Sequence, residues 1–131
     1  MIGIDTNVLV RYLAQDDPAQ SAMATELIEQ RLTGRNPGFI SVVAMVETAW
    51  VLARSYRLED KEVAAAIERV LQAEGLVVEN EQAVFAAMIA LKQARGSFAD
   101  ALIGVLGTVA GCTHTVTFDR KALRLAEFAL L

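Results

Sequence analysis

The chain has 131 residues, of which 54% are hydrophobic, and it carries a formal net charge of −4 at pH 7. This length fits a single domain over residues 1–131 with a sizeable core. The negative charge argues against a surface that binds nucleic acid everywhere, although a bound cation or a basic patch could reverse the charge locally. The single cysteine, Cys112, permits no internal disulfide, and its place before an apolar strand predicts a core residue.

No apolar segment reaches the roughly 18 residues that a membrane span requires. The first residues also lack the basic region of a signal peptide. We therefore expect a cytoplasmic protein without a membrane segment.

The first half of the chain predicts strands that alternate with helices. "IGI" before Asp5 is a short apolar strand, and "VLVRYLA" fits one to two helical turns. Asp16 and Asp17 are predicted caps, because Pro18 stands at the first position of a helix that should stop near Gly34. "GFIS" predicts a second strand, after which Ser41 caps a long apolar helix; "LEDKEVAAAIERVLQAEG" predicts an amphipathic helix.

The second half continues the alternation. "LVVE" predicts a third strand, two helices follow, and "THTVTF" predicts a fourth strand, with "FALL" as an edge strand. Short apolar strands that alternate with helices favour an α/β fold with a short central parallel sheet and helices on both faces, in three layers.

Four acidic side chains are expected at one edge of this sheet. Asp5 ends the first strand and Asp119 ends the fourth, and ligands of parallel sheets bind beyond the carboxyl ends of the strands. Helices that lead into parallel strands run opposite to them, so the helix that begins near Asp100 starts at the same edge. Glu47 lies in the second turn of the helix after "GFIS" and is placed there too.

Each acid also has a structural explanation. Asp5 and Asp119 can cap helices, and Ser97 with Asp100 matches the capping box S-x-x-D. Glu47 is predicted on a buried helix face, where a salt bridge is the alternative to a functional acid, but no Arg or Lys lies within one helical turn.

Together, the four carboxylates predict a metal site. Two carboxylates about 4 Å apart repel by roughly 4 kcal/mol at a surface-like dielectric, so an ionised cluster needs a cation. Oxygen ligands without a Cys or His constellation favour Mg²⁺ or Mn²⁺ over zinc. Because the sequence offers no usable His, Ser or Cys nucleophile, the remaining chemistry is attack of metal-activated water on a phosphate.

Other residues favour structural roles. Trp50 is predicted to be a core residue rather than a platform for base stacking. His114, inside "THTVTF", is predicted to be a partly buried strand residue. Glu79 and Glu81 follow the third strand at the same edge and are predicted to lie in the first turn of a solvated helix.

Four motifs, "GIDTNVL", "VVAMVETAWVL", "FADALI" and "TFD", occur in the order and spacing of PIN domains and most closely resemble VapC toxins of type II toxin-antitoxin modules. The resemblance covers essentially the whole chain. It implies a PIN-like fold, Mg²⁺- or Mn²⁺-dependent cleavage of RNA, a homodimer, and neutralisation by a VapB-type antitoxin. Many relatives carry another acid or polar residue in place of Ser97.

The resemblance also implies roles for individual residues. It implies that Asp5, Glu47, Asp100 and Asp119 are the metal-binding acids. In the mechanism that we expect, Asp5, Glu47 and Asp100 hold one ion, and Asp119 completes a second site or orients the attacking water. Polar support comes from Thr6 or Asn7, for which capping is the alternative.

Arg120 and Lys121 are candidates for contact with RNA phosphates, although a solvated face is the favoured interpretation. Two other functions stay open: a phosphoacceptor signalling domain, and a non-catalytic metal- or RNA-binding module on the same fold.

Overall fold

The computed structural model describes residues 1–131, which form two compact units, Met1–Glu81 and Gln82–Leu131. The first unit contains β1 (Ile2–Gly3), α1 (Thr6–Ala14), α2 (Pro18–Glu26), a π-helical turn (Leu27–Arg31), β2 (Gly38–Ile40), α3 (Val42–Arg54), α4 (Asp60–Gln72) and β3 (Leu76–Val78). α5 (Glu81–Lys92) begins at the boundary, and the second unit continues with α6 (Phe98–Val109), β4 (Thr115–Thr117), a 3₁₀ helix (Arg120–Arg124) and β5 (Phe128–Leu130). None of the helices is both long and apolar enough to cross a bilayer.

The first unit is built on a parallel sheet in the order β1-β2-β3. Ile2 is in register with Gly38, and Phe39 with Val77. A side chain at Gly38 would meet Leu32 Cδ1 at 2.7 Å and Ile4 Cγ1 at 2.8 Å, so a larger residue would force these side chains to shift. Because the strands are parallel, all three carboxyl ends lie at one edge, as the sequence predicts.

Two helices of the first unit, α2 and α3, begin at caps predicted from the sequence. The Ser41 hydroxyl accepts a hydrogen bond from the Ala44 N–H at 3.1 Å, and the Asp17 carboxylate accepts one from the Gln20 N–H at 2.9 Å. These bonds satisfy N–H groups that the first turn of a helix leaves unpaired. The predicted continuous helix after Pro18 is wrong in one respect, because α2 changes into a π-helical turn in which the Leu32 N–H bonds the Leu27 carbonyl at 2.9 Å.

The predicted single sheet is also wrong in one respect. "THTVTF" does form a strand, β4, but it pairs in parallel with β5, and these two strands are a separate sheet. Apolar alternation indicates that a segment is a strand, whereas its partner depends on the path of the intervening chain. The predicted strand at "FALL" is confirmed as β5.

Three predicted burials are wrong. Trp50 is 59% exposed, and the Arg54 guanidinium lies 5.5 Å from the centre of its ring. Cys112 is exposed in the segment before β4, and His114 lies there too rather than inside the strand. α3 buries Met45, Thr48, Ala49 and Leu52, which leaves Trp50 on the opposite face. Since nearly every position of α3 is apolar, its hydrophobic pattern does not distinguish the two faces.

Thr48 provides a test of the packing of α3. Its side chain is fully buried, and its hydroxyl oxygen has no hydrogen-bond partner. Valine has the same shape without the hydroxyl, and a buried polar group left unpaired costs about 1–3 kcal/mol. We expect Thr48→Val to raise the free energy of unfolding in urea by about 1 kcal/mol.

Leu52→Ala, one turn further along the same buried face, is the control and should lower that free energy by about 2–5 kcal/mol. A Thr48→Val protein that is less stable than the wild type would contradict the described packing.

Candidate functional site

Asp5 stands where β1 passes into α1. Its backbone is extended, with φ −80° and ψ 157°, and its Oδ1 accepts a hydrogen bond from the Thr6 N–H at 2.8 Å. The predicted capping role is therefore present. Its Oδ2 accepts no hydrogen bond, so one carboxylate oxygen remains available to a ligand.

Glu47 lies close to this point, although 41 positions separate it from Thr6. The Thr6 hydroxyl donates a hydrogen bond to Glu47 Oε1 at 2.7 Å. The expectation of a buried Glu47 is wrong, because this residue projects from the exposed face of α3. Nor does Glu47 have a salt bridge, since the single ion pair in the chain joins Arg11 to Asp16.

The carboxyl edge of the three-stranded sheet explains this proximity. Asp5 follows β1, and α3 begins directly after β2 with Ser41 as its cap. Glu79, which follows β3, accepts a hydrogen bond from the Val42 N–H at 2.9 Å. The expectation of a solvated Glu79 is wrong: it is half-buried and helps to hold the first turn of the helix that carries Glu47. This role joins residues 37 positions apart and leaves no local signal in the sequence.

Asp5 and Glu47 line one cleft of about 640 Å³. Most of the residues that line the cleft are polar or charged. Its lining consists of Asp5, Thr6, Asn7, Val10, Arg11, Asp16, Glu47, Val51, Ser55 and Tyr56. Asn7 is exposed and has no hydrogen bond from its side chain, so its amide is free to contact a ligand.

Three further polar side chains of the cleft, Arg11, Asp16 and Tyr56, form a hydrogen-bonded network that was not predicted from the sequence. Arg11 Nη1 lies 3.2 Å from Asp16 Oδ1 and donates a hydrogen bond to the Tyr56 hydroxyl, also at 3.2 Å. The Tyr56 hydroxyl donates in turn to Asp16 Oδ2 at 2.7 Å. That bond holds the pKa of Asp16 below its ordinary value and raises the pKa of Tyr56. The predicted capping role of Asp16 is therefore wrong.

The other two predicted acids lie in the second unit. Asp100 is in the first turn of α6, and its N–H donates to the Ser97 hydroxyl at 3.1 Å, which confirms the cap. The Asp100 carboxylate does not complete the predicted capping box, since it accepts no hydrogen bond. Asp119 caps the 3₁₀ helix, with Oδ1 accepting from the Lys121 N–H at 2.9 Å. Arg120 and Lys121 are exposed and make no ion pair.

The donor chemistry of these residues fits a hard divalent cation. The carboxylates of Asp5 and Glu47 each keep one oxygen free of hydrogen bonds, and neither is neutralised by a basic side chain. No group of three or more Asp, Glu, His or Cys side chains is assembled that could hold a metal. The structure therefore brings together Asp5, Thr6 and Glu47, and the participation of Asp100 and Asp119 stays a prediction.

Comparison with protein families identifies the fold. The family model of the PIN domain matches residues 2–128, and no curated protein matches the chain. PIN domains are generally nucleases that need divalent metal ions. The match covers nearly the whole sequence, so this chain belongs to the PIN domain family.

Proposed function

We propose that this chain is a Mg²⁺- or Mn²⁺-dependent endoribonuclease and the VapC-type toxin of a toxin-antitoxin module, with residues 1–131 as one PIN domain. The observation that carries this proposal is the pair of carboxylates, Asp5 and Glu47, joined through Thr6 in a cleft at the carboxyl edge of the sheet. Neither acid has a basic partner in the chain, which leaves both available to a cation.

In this proposal Asp5, Glu47 and Asp100 hold the cation, and Asp119 completes a second site or orients water. A bound ion would supply an activated water and stabilise the leaving oxygen of the phosphodiester. Thr6 positions Glu47 by holding Oε1, so that the other oxygen keeps a fixed direction. Asn7 adds a polar contact, and Arg120 and Lys121 contact RNA phosphates.

The first test replaces the acids one at a time. Asp5→Asn, Glu47→Gln and Asp100→Asn should each reduce metal-dependent RNA cleavage at least about a hundredfold, because each removes a charged ligand from the ion. In the metal-free protein the same changes relieve repulsion between carboxylates, so the melting temperature should stay level or rise. Cleavage of a labelled RNA and thermal melting of each variant measure the two effects.

Asp60→Asn is the matched control, since Asp60 is an exposed acid at the start of α4 and lines no part of the cleft. Full activity in Asp5→Asn, or loss of a cooperative melt in all three acid variants, would contradict the proposed site.

The second test measures binding of the ion without RNA. A ligand that binds only the folded state raises the free energy of unfolding by about 2.7 kcal/mol at 100 times its Kd. Millimolar Mg²⁺ or Mn²⁺ should therefore raise the melting temperature of the wild type and of Asp60→Asn, and the rise should shrink in Glu47→Gln. A wild-type melting temperature that responds to neither ion would remove the basis of the proposal.

The antitoxin proposal is supported by a groove beside the cleft. It encloses about 570 Å³ and is lined by Asn7, Val8, Arg11, Gln20, Met23, Ala24, Glu26, Leu27 and Arg31. Met23 is 71% exposed there, and the groove shares Asn7 and Arg11 with the acidic cleft. An apolar segment of a VapB-type partner would pack in this groove while one of its arginines binds the acids in a bidentate way.

The third test concerns this partner. Replacing the inhibitory Arg or Lys in the carboxyl-terminal half of the antitoxin by Ala should restore RNA cleavage more than it weakens binding, and excess Mn²⁺ should partly relieve inhibition. The measurements are RNA cleavage and the Kd of the complex for each antitoxin variant. If an antitoxin segment without any basic residue inhibits equally well, it acts by steric exclusion of RNA, and control through the acids is wrong.

The homodimer is supported by the outer face of α3. Val43 is 67% exposed and Trp50 59% exposed on this helix. The two residues lie seven positions apart on one side of the helix, where exposed apolar surface can serve as a contact with another chain.

A further inference from the structure

Arg11 is the only basic side chain that lines the acidic cleft. The carboxylates of the lining are Asp5, Asp16 and Glu47. With Arg11 as the only basic group, the cleft is net negative when no cation is bound. A strand of RNA that enters it brings further negative charge. A fixed positive group in the same cleft is therefore the natural contact for a phosphate of that strand.

The guanidinium of Arg11 is held in place before any ligand arrives. Nε donates to Gln20 Oε1 at 2.7 Å, while Nη1 lies 3.2 and 3.3 Å from the two oxygens of Asp16 and 3.2 Å from the Tyr56 hydroxyl. Nη2 has no hydrogen-bond partner. These bonds restrict the side chain while leaving one nitrogen available, which lowers the entropic cost of binding an anion.

The ion pair between Arg11 and Asp16 is not explained by a contribution to folding stability. The side chains of Arg11 and Asp16 are 33% and 42% exposed, and ion pairs at such surface positions contribute little to folding. Guanidinium groups bind phosphate oxygens in the same forked geometry that they use for carboxylates. Both oxygens of Asp16 lie on Nη1 alone, so this contact is not forked, and a phosphate that engages Nη1 and Nη2 together would replace Asp16.

We propose that Arg11 is a substrate-binding residue that contacts a phosphate of the RNA strand lying in the acidic cleft, with Asp16 as the counter-ion that this phosphate displaces. The inference rests on the proposed ribonuclease function and adds to it a residue that positions the substrate. Removing Arg11 and removing the charge of Asp16 should then have opposite effects on RNA binding.

The experiment measures binding of a labelled single-stranded RNA by fluorescence anisotropy in EDTA, where no cleavage occurs, over a series of salt concentrations. Arg11→Gln should weaken binding about tenfold, as expected for loss of one charged contact. It should also reduce the slope of log K against log salt by about 0.7, the value for one phosphate on a single strand. Asp16→Asn should tighten binding, because it removes the carboxylate that competes with the phosphate for Nη1, while Gln20 still holds Nε.

Arg35→Gln is the matched control, because it removes one positive charge just as Arg11→Gln does. Arg35 is exposed in the loop before β2, at the amino-terminal edge of the sheet, and it lines neither the cleft nor the groove beside α1. It should leave both the affinity and the salt slope close to those of the wild type. If it weakens binding as much as Arg11→Gln does, the effect is one of overall charge and the inference is wrong.

A purely structural role for Arg11 predicts a different pattern. In that case Asp16→Asn would weaken binding together with Arg11→Gln, and both would lower the melting temperature, which would overturn the inference. Arg11→Lys keeps the positive charge but loses the planar guanidinium that can donate two parallel hydrogen bonds. It should therefore retain the slope of log K against log salt and lose part of the affinity. In cleavage assays with Mg²⁺, Arg11→Gln should raise KM and leave kcat little changed.

The same data separate this inference from the proposed function. A wild type that binds and cleaves RNA while Arg11→Gln binds equally well refutes only the role of Arg11. A wild type that neither binds nor cleaves RNA refutes both.

Discussion

The hydrogen bond from Thr6 to Glu47 is the interaction on which this account of the site depends. At 2.7 Å it joins the first residue of α1 to the second turn of α3, across 41 positions of the chain. The preceding residue, Asp5, bonds the N–H of the same threonine. The backbone N–H of Thr6 thus contacts one carboxylate and its hydroxyl contacts the other, and on this pair the proposed cation site rests.

The parallel sheet supplies the scaffold for this arrangement. All three strands of the first unit end at the same edge, and they are followed there by Asp5, by Ser41 and by Glu79. The last two both bond the first turn of α3, which fixes the start of the helix that carries Glu47. The strands are only two or three residues long, and these side-chain contacts add to the backbone hydrogen bonds at the edge.

The sequence predicts contacts between neighbouring residues, and the alternation of strands and helices also predicts that Asp5 and Glu47 lie at one edge of the sheet. It misses other contacts between distant segments. The cap at Ser41 can be predicted because its partner lies three positions away. The family motifs predict Asp5 as a site residue. The exposure of Trp50 could not be predicted, since most positions of α3 are apolar and its hydrophobic pattern does not separate the buried face from the exposed one. Two hydrogen bonds join distant segments of the chain: the one from the Val42 N–H to Glu79 and the one from Arg11 to Tyr56. No local sequence pattern predicts either hydrogen bond.

The central claim is that Thr6 organises a site for a divalent cation, and Mn²⁺ affinity in matched variants tests it most directly. Electron paramagnetic resonance of free Mn²⁺ gives the Kd for the wild type, Thr6→Ser and Thr6→Val without any RNA. Serine keeps the hydroxyl that holds Glu47, so Thr6→Ser should bind Mn²⁺ nearly as the wild type does, whereas Thr6→Val should bind it about 10- to 100-fold more weakly. Equal affinity in Thr6→Val and the wild type, or no binding by the wild type at millimolar Mn²⁺, would contradict the account.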